Sequence, residues 1–548
     1  MPQTSFPGGW DRKATVLSLT FMTDKSLKPD LISGFLVFLI ALPLCLGISM
    51  ASGVPPISGV LTAIVGGIVV SFLGSAALTI KGPAAGLIVI VLGAVTELGQ
   101  GNLADGYHRA LAVGVVAGLI QILFALTRVG VVGSLMPKSV VHGMLAAIGV
   151  IIISKQAHTL MGVSPAAKEP LHLLAEIPHS LSLLNPEVLV IGFVSLVILF
   201  GMPLLPFGWT KKIPAPMVVL ATAIPLGFLF DLDHQHLYKW WSHNYEIGPK
   251  FLIQLPGSLL ASLAYPDFSQ IGSAVSIKYI VMYALVGSIE SLLSVTAVDS
   301  LDPQRRTSDL NRDLLATGIG NTIASAIGGL PMISEIVRSK ANIDSGAQSR
   351  WSNFFHGSFL LASLLLIPGV LHHIPMAALA AMLVFTGTRL ASPKEFKHTY
   401  HIGPEQLAIF VTTMMVTLAT DLLLGVGAGL FLKLALHIKN GAPVSRLFNA
   451  QIDESRTGNR WRLTVHHAAI FTNFLQLQRM LAAVPAGVDR VEVDFSESNV
   501  VDHTVLNKLR TMADEWPVSR TLAIIGLENH EAMSAHEDAA RRRRTIIA

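Results

Sequence analysis

Hydrophobic positions in this chain of 548 residues gather into long apolar runs that recur from Leu31 to about Lys439. Runs of this length are typical of helices that cross, or half cross, a membrane. Two groups of seven such segments, on either side of a long polar loop at Leu232–Pro249, indicate an inverted repeat with a site at the membrane midplane. The fourteen segments are predicted at 31–51, 57–73, 83–96, 109–126, 134–154, 188–205, 215–230, 279–298, 314–328, a tenth beginning near 335, 355–370, 377–386, 407–418 and 423–437.

Two segments, the third and the tenth, are short and interrupted, and they hold matching places in the two groups. The third opens with KGPAAG at 81–86, and the tenth opens with EIVRS at 335–339. Interrupted segments at corresponding places indicate the binding site of a transporter. We therefore predict a half-helix beginning at each place, with the two beginnings facing one another. The alternatives are a kinked helix at either place and, for the charged stretch Gly328–Gly357, an ordinary hydrophilic loop.

Beyond about Asn440 the pattern changes, because apolar runs shorten and charged residues become more frequent. Strands are predicted at 461–465, 489–495 and 522–526, and helices at 474–481 and 505–516. Strands that alternate with helices indicate a small α/β domain. The predicted domains are a cytoplasmic N-terminal segment at 1–29, a transmembrane domain at 30–440, the α/β domain at 450–540 and a basic tail at 541–548.

Composition agrees with an α-helical polytopic membrane protein. Charged residues make up 14% of the chain and hydrophobic residues 51%, whereas a soluble protein carries about 25% charged residues. A net charge of +4 gives no reason to expect a nucleic acid partner. One cysteine, Cys45, excludes a disulfide within the chain and a cysteine metal site. The polar first twenty residues lack the pattern of a cleavable signal peptide.

The positive-inside rule predicts the orientation of the chain. An even number of crossings puts both ends on one side of the membrane. The loops that would share this side carry most of the basic residues, whereas the opposite loops are acidic or mixed. Both termini are therefore predicted to be cytoplasmic. The basic residues concerned are Arg128, Lys138, Lys211, Lys212, Arg305, Arg306, Arg312, Arg389, Lys394 and Lys397.

A carboxyl at membrane depth, Glu290, is the first candidate for chemistry. It lies about three helical turns into the otherwise apolar eighth segment. An ionisable residue inside a membrane span marks a functional site by default. A buried carboxyl can take up a proton near neutral pH, or it can ligate Na⁺ together with Ser294 one turn later. The alternative is a structural ion pair with Arg338 or Lys340.

The beginning of the tenth segment is the candidate anion site. Arg338 lies close to the predicted helix start, which presents unpaired N–H groups and the positive end of the helix dipole. The third segment offers a second such end at Gly82–Ala85, where small residues leave the backbone accessible. Two facing helix starts and Arg338 would bind an anion without a metal. Glu335, Lys340 and Arg350 are expected to be rim or structural charges.

Three motifs resemble those of the sulfate permease (SulP) family of anion transporters, and the similarity extends along essentially the whole chain. They are a proline and glycine frame at 43–59, DLNRDLLATGIGN at 309–321 followed by GGLP at 328–331, and RSKANIDSGA at 338–347. The resemblance implies a seven-plus-seven inverted repeat with core and gate domains, elevator-like motion and frequent dimers. It also implies that the C-terminal domain is a STAS domain, since the sequence at 494–506 is similar to its strand–loop–helix.

The resemblance also assigns site residues. The coupling position falls on Glu290, with Ser294 one turn later. Bicarbonate-transporting members bind Na⁺ through Asp at this place, whereas proton-coupled relatives have Glu, so both coupling ions stay open. No other cofactor is implied. The family's substrate-binding positions fall on Leu44, Ile48, Pro83, Ala84, Ala85, Ile336, Val337 and Arg338, and the backbone as far as Ser339 completes the anion end.

We predict a secondary active transporter of small inorganic anions in the bacterial cytoplasmic membrane, with bicarbonate driven by Na⁺ or H⁺ as the first choice. The sequences VDSLDP at 298–303 and GLENH at 526–530 favour bicarbonate, because they resemble bacterial members associated with carbonic anhydrase. The expected partners are the anion, the lipid bilayer, a second copy of the chain and a cytoplasmic regulator of the STAS domain. The alternatives are a sulfate or dicarboxylate symporter, an uncoupled channel or exchanger, and a regulatory scaffold. No reactive thiol, metal-ligand cluster or nucleotide loop supports an enzyme.

Overall fold

The computed structural model describes residues 24–128, 136–167, 169–206, 213–240, 243–253, 262–366, 368–420, 422–514, 516 and 520–544. Most of the predicted N-terminal segment, the basic pair Lys211 and Lys212, and the end of the predicted tail at 545–548 lie outside these ranges.

The first half of the membrane part is helical, with one short strand in it. Its helix α2 contains a π-helical turn at Gly66–Val70. The elements are α1 (Asp24–Ala51), α2 (Ile57–Leu73), β1 (Ile80–Pro83), α3 (Ala85–Gly99), α4 (Leu103–Leu126), α5 (Lys138–Leu160), α6 (Pro170–Ser182), α7 (Pro186–Gly201) and α8 (Ala215–Leu229). A hairpin of β2 (His236–Trp240) and β3 (His243–Ile247) follows in the polar loop.

The second half repeats the plan of helices with one short strand. The elements are α9 (Ala274–Leu301), α10 (Leu310–Ala326), β4 (Met332–Glu335), α11 (Ile336–Asp344), α12 (Trp351–Leu366), α13 (Pro368–His372), α14 (Met376–Leu390), α15 (Pro393–Ile402), α16 (Pro404–Ala419) and α17 (Leu422–Lys439). Each of the fourteen predicted segments coincides with a helix. The amphipathic helices α6 and α15 carry too few consecutive apolar residues for the hydrophobic pattern to predict them as segments.

Length and composition make seven helices of the described ranges suitable for crossing a membrane. They are α1, α4, α5, α7, α9, α14 with its continuation α15, and α17. Four shorter apolar helices, α2, α3, α8 and α16, accompany them. One buried apolar cluster gathers side chains of α3, α4, α5 and α9, and a second gathers side chains of α1, α7, α8 and α14.

Strands β1 and β4 join the two halves of the membrane part. They pair antiparallel, with Ile80 opposite Glu335 and Pro83 opposite Met332. Each strand leads directly into a helix, α3 after β1 and α11 after β4. The predicted half-helices at both places are therefore present, and the alternative of an ordinary loop at Gly328–Gly357 is wrong.

The C-terminal part is a sheet of seven strands in the order β10-β11-β8-β6-β7-β9, with β5 beside β6. Strand β6 runs parallel to β7 and β8, and β7 runs parallel to β9. The three predicted strands coincide with β6, β7 and β9. The elements are β5 (Gln451–Thr457), β6 (Arg460–Ala469), α18 (Phe474–Ala482), β7 (Arg490–Asp494), β8 (Ser498–Val501), α19 (His503–Asp514), β9 (Thr521–Ile525), β10 (His530–Ala532) and β11 (Arg541–Arg543).

The prediction of a solvated basic tail from residue 541 is wrong for its first residues. Arg541–Arg543 forms β11, which pairs antiparallel with both β8 and β10. This strand lies between β10 and β8 in the sheet, so the run of arginines belongs to the C-terminal domain. Charge alone does not reveal such a pairing, because the hydrogen bonds of a strand come from its backbone.

A buried ion pair connects the last membrane helix to the C-terminal domain. The Lys433 Nζ atom of α17 lies 3.1 Å from the Asp502 carboxylate and donates a hydrogen bond of 2.8 Å to the Thr504 hydroxyl. Burial opposes the charge of Asp502, but Lys433 and His437 outweigh it and hold the pKa of Asp502 well below its ordinary value. The loop at the start of α19 is therefore fixed against α17.

Candidate half-helix site

In the described part of the chain, no side-chain cap closes the beginning of α3 or of α11. Ala84 precedes α3 in an extended conformation and makes no cap hydrogen bond. Glu335 holds the same place before α11 and likewise makes no cap hydrogen bond. Because the first N–H groups of a helix have no partner within the helix, both starts offer donors and a positive dipole end.

The predicted residues of the first and third segments gather at the start of α3. Ile48 of α1 and Ala84 belong to one buried apolar cluster, and Ala85 packs against that cluster. Pro83 is buried as the last residue of β1. Leu44, one turn before Ile48, is half-buried and packs against the second apolar cluster.

The predicted residues of the tenth segment point in different directions. Ile336 and Val337 are 41% and 45% exposed. The Ser339 side chain is buried, accepts a hydrogen bond of 2.8 Å from the Ile80 amide and donates one of 2.6 Å to the Glu335 carbonyl. The Ser339 hydroxyl therefore fixes α11 to β1. The backbone N–H groups of this first turn remain the groups predicted to bind an anion.

Only 1% of the Arg338 surface is exposed, and its guanidinium lies against β1 and α1. Its Nη1 atom donates to the Cys45 sulfur at 3.4 Å. A Cβ atom at Gly82 would come within 2.6 Å of the same Nη1 atom. Glycine at 82 is therefore what allows the guanidinium to approach the strand. No ion pair joins Arg338 to a carboxylate in the described part of the chain.

Glu290 of α9 lies at the first turn of α3. It is 6% exposed, and neither carboxylate oxygen has a hydrogen-bond partner among the described residues. A Cβ atom at Gly86 would overlap this carboxylate. Ser294 lies one helical turn after Glu290 on α9 and stays a predicted ligand of Na⁺. Ser291 is the serine of α9 that reaches the strand pair, where its hydroxyl accepts from the Ser334 amide at 3.2 Å.

Two features of the site are absent from the sequence prediction. The first is a buried ion pair between Lys81 of β1 and Asp313 of α10, with Ser334 of β4 bonded to both. The second is Glu335, expected at the rim. Its Oε1 atom is shielded from solvent and has no hydrogen-bond partner among the described residues. A lysine beside the predicted helix start at 81–86 is the signal that could have pointed to an acidic partner.

The other charges of the stretch lie away from the helix starts. Lys340 pairs with Asp344 on the exposed face of α11 at 2.8 Å, as expected of a structural charge. Arg350 lines a cavity of about 330 Å³ together with Asp299, Arg306 and Ser308. This cavity is separate from the helix starts and uses none of the predicted site residues.

Two antiparallel strands that each lead into a short helix, inside a bundle of apolar helices, are typical of a polytopic membrane transporter. The family model of the sulfate permease family matches residues 27–413, which is more than half of the chain. The chain therefore belongs to the sulfate permease family and is a transmembrane anion transporter, not an enzyme.

Two curated relatives are named for different anions. The protein named "Putative sulfate transporter YvdB" of Bacillus subtilis is 27% identical over 429 residues, covering 78% of this chain and 76% of its own. The bicarbonate transporter BicA of Picosynechococcus is 24% identical over 436 residues, covering 79% of this chain and 73% of its own.

Solved structures share the fold. The transmembrane domain of a cyanobacterial BicA matches with a TM-score of 0.63 and 23% identity, over 75% of this chain and 98% of that one. The murine solute carrier 26 member A9 anion transporter, in its inward-facing state, matches with a TM-score of 0.67 and 15% identity. That match covers 92% of this chain and 86% of the other, so it extends into the C-terminal sheet domain.

Proposed function

We propose that the chain is a secondary active transporter that takes up a small inorganic anion, with bicarbonate as the first choice and Na⁺ or H⁺ as the coupling ion. The observation that carries this proposal is the pair of uncapped helix starts at Ala85 and Ile336, which the β1–β4 pairing holds together. An anion between them would meet two positive dipole ends and the nearby charge of Arg338.

Glu290 is the proposed coupling residue. Its two oxygens lack protein partners among the described residues, so the carboxyl is free to take a proton or to contact Na⁺. The charge of a bound anion at α3 would act directly on this carboxyl, because Glu290 lies against Gly86 in the first turn of that helix. Ser294, one helical turn after Glu290 on α9, is proposed to add an oxygen ligand if the coupling ion is Na⁺.

The remaining arrangement is proposed from the family and the pattern of the chain. Fourteen segments cross the bacterial inner membrane with both ends in the cytoplasm, and a core that carries β1 and β4 moves past a gate as an elevator. The C-terminal sheet domain is proposed to be a STAS domain, which receives a cytoplasmic regulator. The protein is proposed to work as a homodimer.

Uptake into proteoliposomes with imposed gradients tests the proposal. Purified protein is reconstituted, and uptake of labelled bicarbonate, sulfate, fumarate and chloride is measured with an inward Na⁺ gradient, an inward H⁺ gradient or neither. We expect accumulation of bicarbonate above its equilibrium level with one of the two gradients. If each anion only reaches equal concentrations on the two sides, whatever the gradient, the protein is a channel. If sulfate or fumarate accumulates above its equilibrium level, the protein is a sulfate or dicarboxylate symporter.

A further inference from the structure

The cavity of about 330 Å³ beside Arg350 lies apart from the two helix starts and has no role in the transport proposed above. Its wall comes from four segments, which are the connection between α2 and β1, the end of α9, the loop between α9 and α10, and the turn before α12. Pockets that hold small molecules commonly enclose about 300–1,000 Å³. The cavity is therefore large enough for a small ligand, and its polar groups determine the class of that ligand.

One cation in the wall has no counter-ion. Arg350 is half-buried, and its side chain makes no hydrogen bond or ion pair with any described residue. Arg306, the other arginine of the wall, is paired with Asp302 at 2.6 Å. Burial and the nearby charges of Arg312 and Arg306 lower the pKa of Arg350 below its ordinary value. An anion beside Arg350 would offset this repulsion, and a guanidinium suits two oxygens of one planar or tetrahedral group.

One carboxylate in the same wall has no cationic partner. Asp299, near the end of α9, forms no ion pair with a basic residue in the described ranges. Its two oxygens accept hydrogen bonds of 2.7 Å from the amide and the hydroxyl of Ser308, which hold the carboxylate in place. An ionised carboxylate only accepts hydrogen bonds, and each of its oxygens has a second lone pair. It can therefore accept an O–H group of a ligand, whereas it repels an anion that has no proton to donate.

We propose that this cavity binds an oxyanion that still carries a proton. Arg350 would contact the charged oxygens, and Asp299 would accept the hydrogen bond of the O–H group. Hydrogen carbonate and hydrogen phosphate both have this chemistry. Sulfate has no proton at neutral pH, so the Asp299 carboxylate excludes it by repulsion. This inference goes beyond the proposed function, because the cavity is separate from the starts of α3 and α11 and its occupancy does not depend on the coupling ion.

The cavity shares its wall with the segment that holds β1. The connection before β1 lines the cavity, and in this connection the Ala76 amide donates a hydrogen bond of 3.4 Å to the Asp313 carboxylate. The same carboxylate is paired with Lys81 of β1. A ligand in the cavity would therefore contact the chain that leads into the proposed transport site. Under the proposed orientation of the chain, this ligand would come from the cytoplasm.

Protection of a cysteine in the wall tests the inference at this site alone. Thr307 is an exposed residue of the wall, and Thr307→Cys adds one reactive thiol to a chain whose own cysteine, Cys45, is buried. The rate of modification by uncharged methyl methanethiosulfonate is measured on the purified full chain at constant ionic strength and pH, with hydrogen carbonate, hydrogen phosphate, sulfate or chloride. At about ten times the Kd, mass action leaves about one tenth of the cavities free, so a protonated oxyanion should slow the reaction about tenfold. Sulfate and chloride should leave the rate unchanged.

Two controls accompany this measurement. Val444→Cys is 67% exposed and does not line the cavity, so none of the anions should change its rate of modification. Lys340→Gln, added to Thr307→Cys, removes a cation that is paired with Asp344 on the exposed face of α11. It should leave the protection unchanged.

Substitutions of the two unpaired charges test their separate roles. Arg350→Gln, added to Thr307→Cys, should raise the half-protecting concentration about tenfold or more, because a charged contact with two oxygens is lost. Arg350→Lys keeps the charge without the planar fork and should give a smaller increase, and it replaces the glutamine variant if that one does not fold. Asp299→Asn should allow sulfate to protect Thr307→Cys.

The outcomes decide both the site and the ligand. Protection by hydrogen carbonate, by hydrogen phosphate or by both supports the inference and identifies the ligand. Absence of protection by both anions would overturn the site, and so would protection that persists in Arg350→Gln. If sulfate protects Thr307→Cys as well as the protonated anions do, or fails to protect the folded Asp299→Asn form, Asp299 does not select for a proton.

Discussion

The two broken segments have the same backbone plan, but their side chains differ in kind. The first, β1 with α3, has only small uncharged residues at the helix start, and the carboxylate that lies against this start, Glu290, comes from α9. The second, β4 with α11, brings its own charges, Glu335 and Arg338. The comparison indicates that the first half supplies accessible backbone, and the second half supplies the charge that attracts or excludes the anion.

The largest loss of stability is expected when the buried ion pair between β1 of the first half and α10 of the second half is broken. Lys81→Met leaves the buried Asp313 carboxylate without its cationic partner, and loss of one member of a buried pair costs about 3–5 kcal/mol. The variant should yield little monodisperse protein on size-exclusion chromatography and should melt at a lower temperature. Lys340→Met is the control, because its pair with Asp344 is exposed and exposed pairs contribute at most about 1 kcal/mol. Equal melting temperatures for the two variants would contradict this role of Lys81.

Glu290→Gln should abolish gradient-driven uptake, because it removes the carboxyl that lies against the start of α3. Folding should be retained, since the Glu290 oxygens have no hydrogen-bond partner in the described part of the chain to lose. Uptake into proteoliposomes with the coupling gradient, alongside a melting curve, measures both quantities. Retained accumulation in this variant would remove Glu290 from the coupling role.

Two glycine substitutions test the roles of Glu290 and Arg338 separately. Gly86→Ala places a methyl group against the Glu290 carboxylate, and Gly82→Ala places one against the Arg338 guanidinium. We expect Gly86→Ala to reduce the accumulation ratio by more than half and Gly82→Ala to raise the KM several-fold, measured in the same uptake assay. Gly427→Ala on α17 is the control, since a Cβ atom there meets nothing within 4 Å. Identical changes in the two site variants would contradict the division of roles.

Arg338→Ala should weaken anion binding with the fold intact. The charge lies close to the helix starts, and its loss should raise the KM about tenfold, which corresponds to about 1.4 kcal/mol. Lys340→Ala, two residues further along α11, removes a charge that is paired on the surface and should leave the KM unchanged. An unchanged KM in Arg338→Ala would move the anion site elsewhere.

The sequence pattern predicts the backbone of this site better than its side-chain contacts. Apolar runs and their two interruptions are sufficient to predict α3 and α11, because an interrupted segment has to begin a new helix. The partner of Lys81 depends on how α10 packs against β1, and no spacing along the chain reveals that. The same reason applies to Ser291, because its contact with Ser334 depends on how α9 packs against β4.

The charged residues of the tenth segment illustrate a second limit. Arg338 is predicted at the anion site and Glu335 at its rim, although the two residues lie three positions apart at the start of one helix. The structure places the Arg338 guanidinium against α1, where its Nη1 atom donates to the Cys45 sulfur. Packing between distant segments therefore decides which way each charge is directed.

The most direct test of the central claim is whether the anion protects the start of α11 from a charged thiol reagent. Val337→Cys provides the target, because Val337 is 45% exposed, and the unaltered chain is the background control, because its single cysteine, Cys45, is buried. We predict that a charged methanethiosulfonate reagent modifies Val337→Cys and that bicarbonate slows the reaction, with half of the effect at the KM for uptake. A rate of modification that is the same with and without saturating anion would contradict an anion site between the two half-helices.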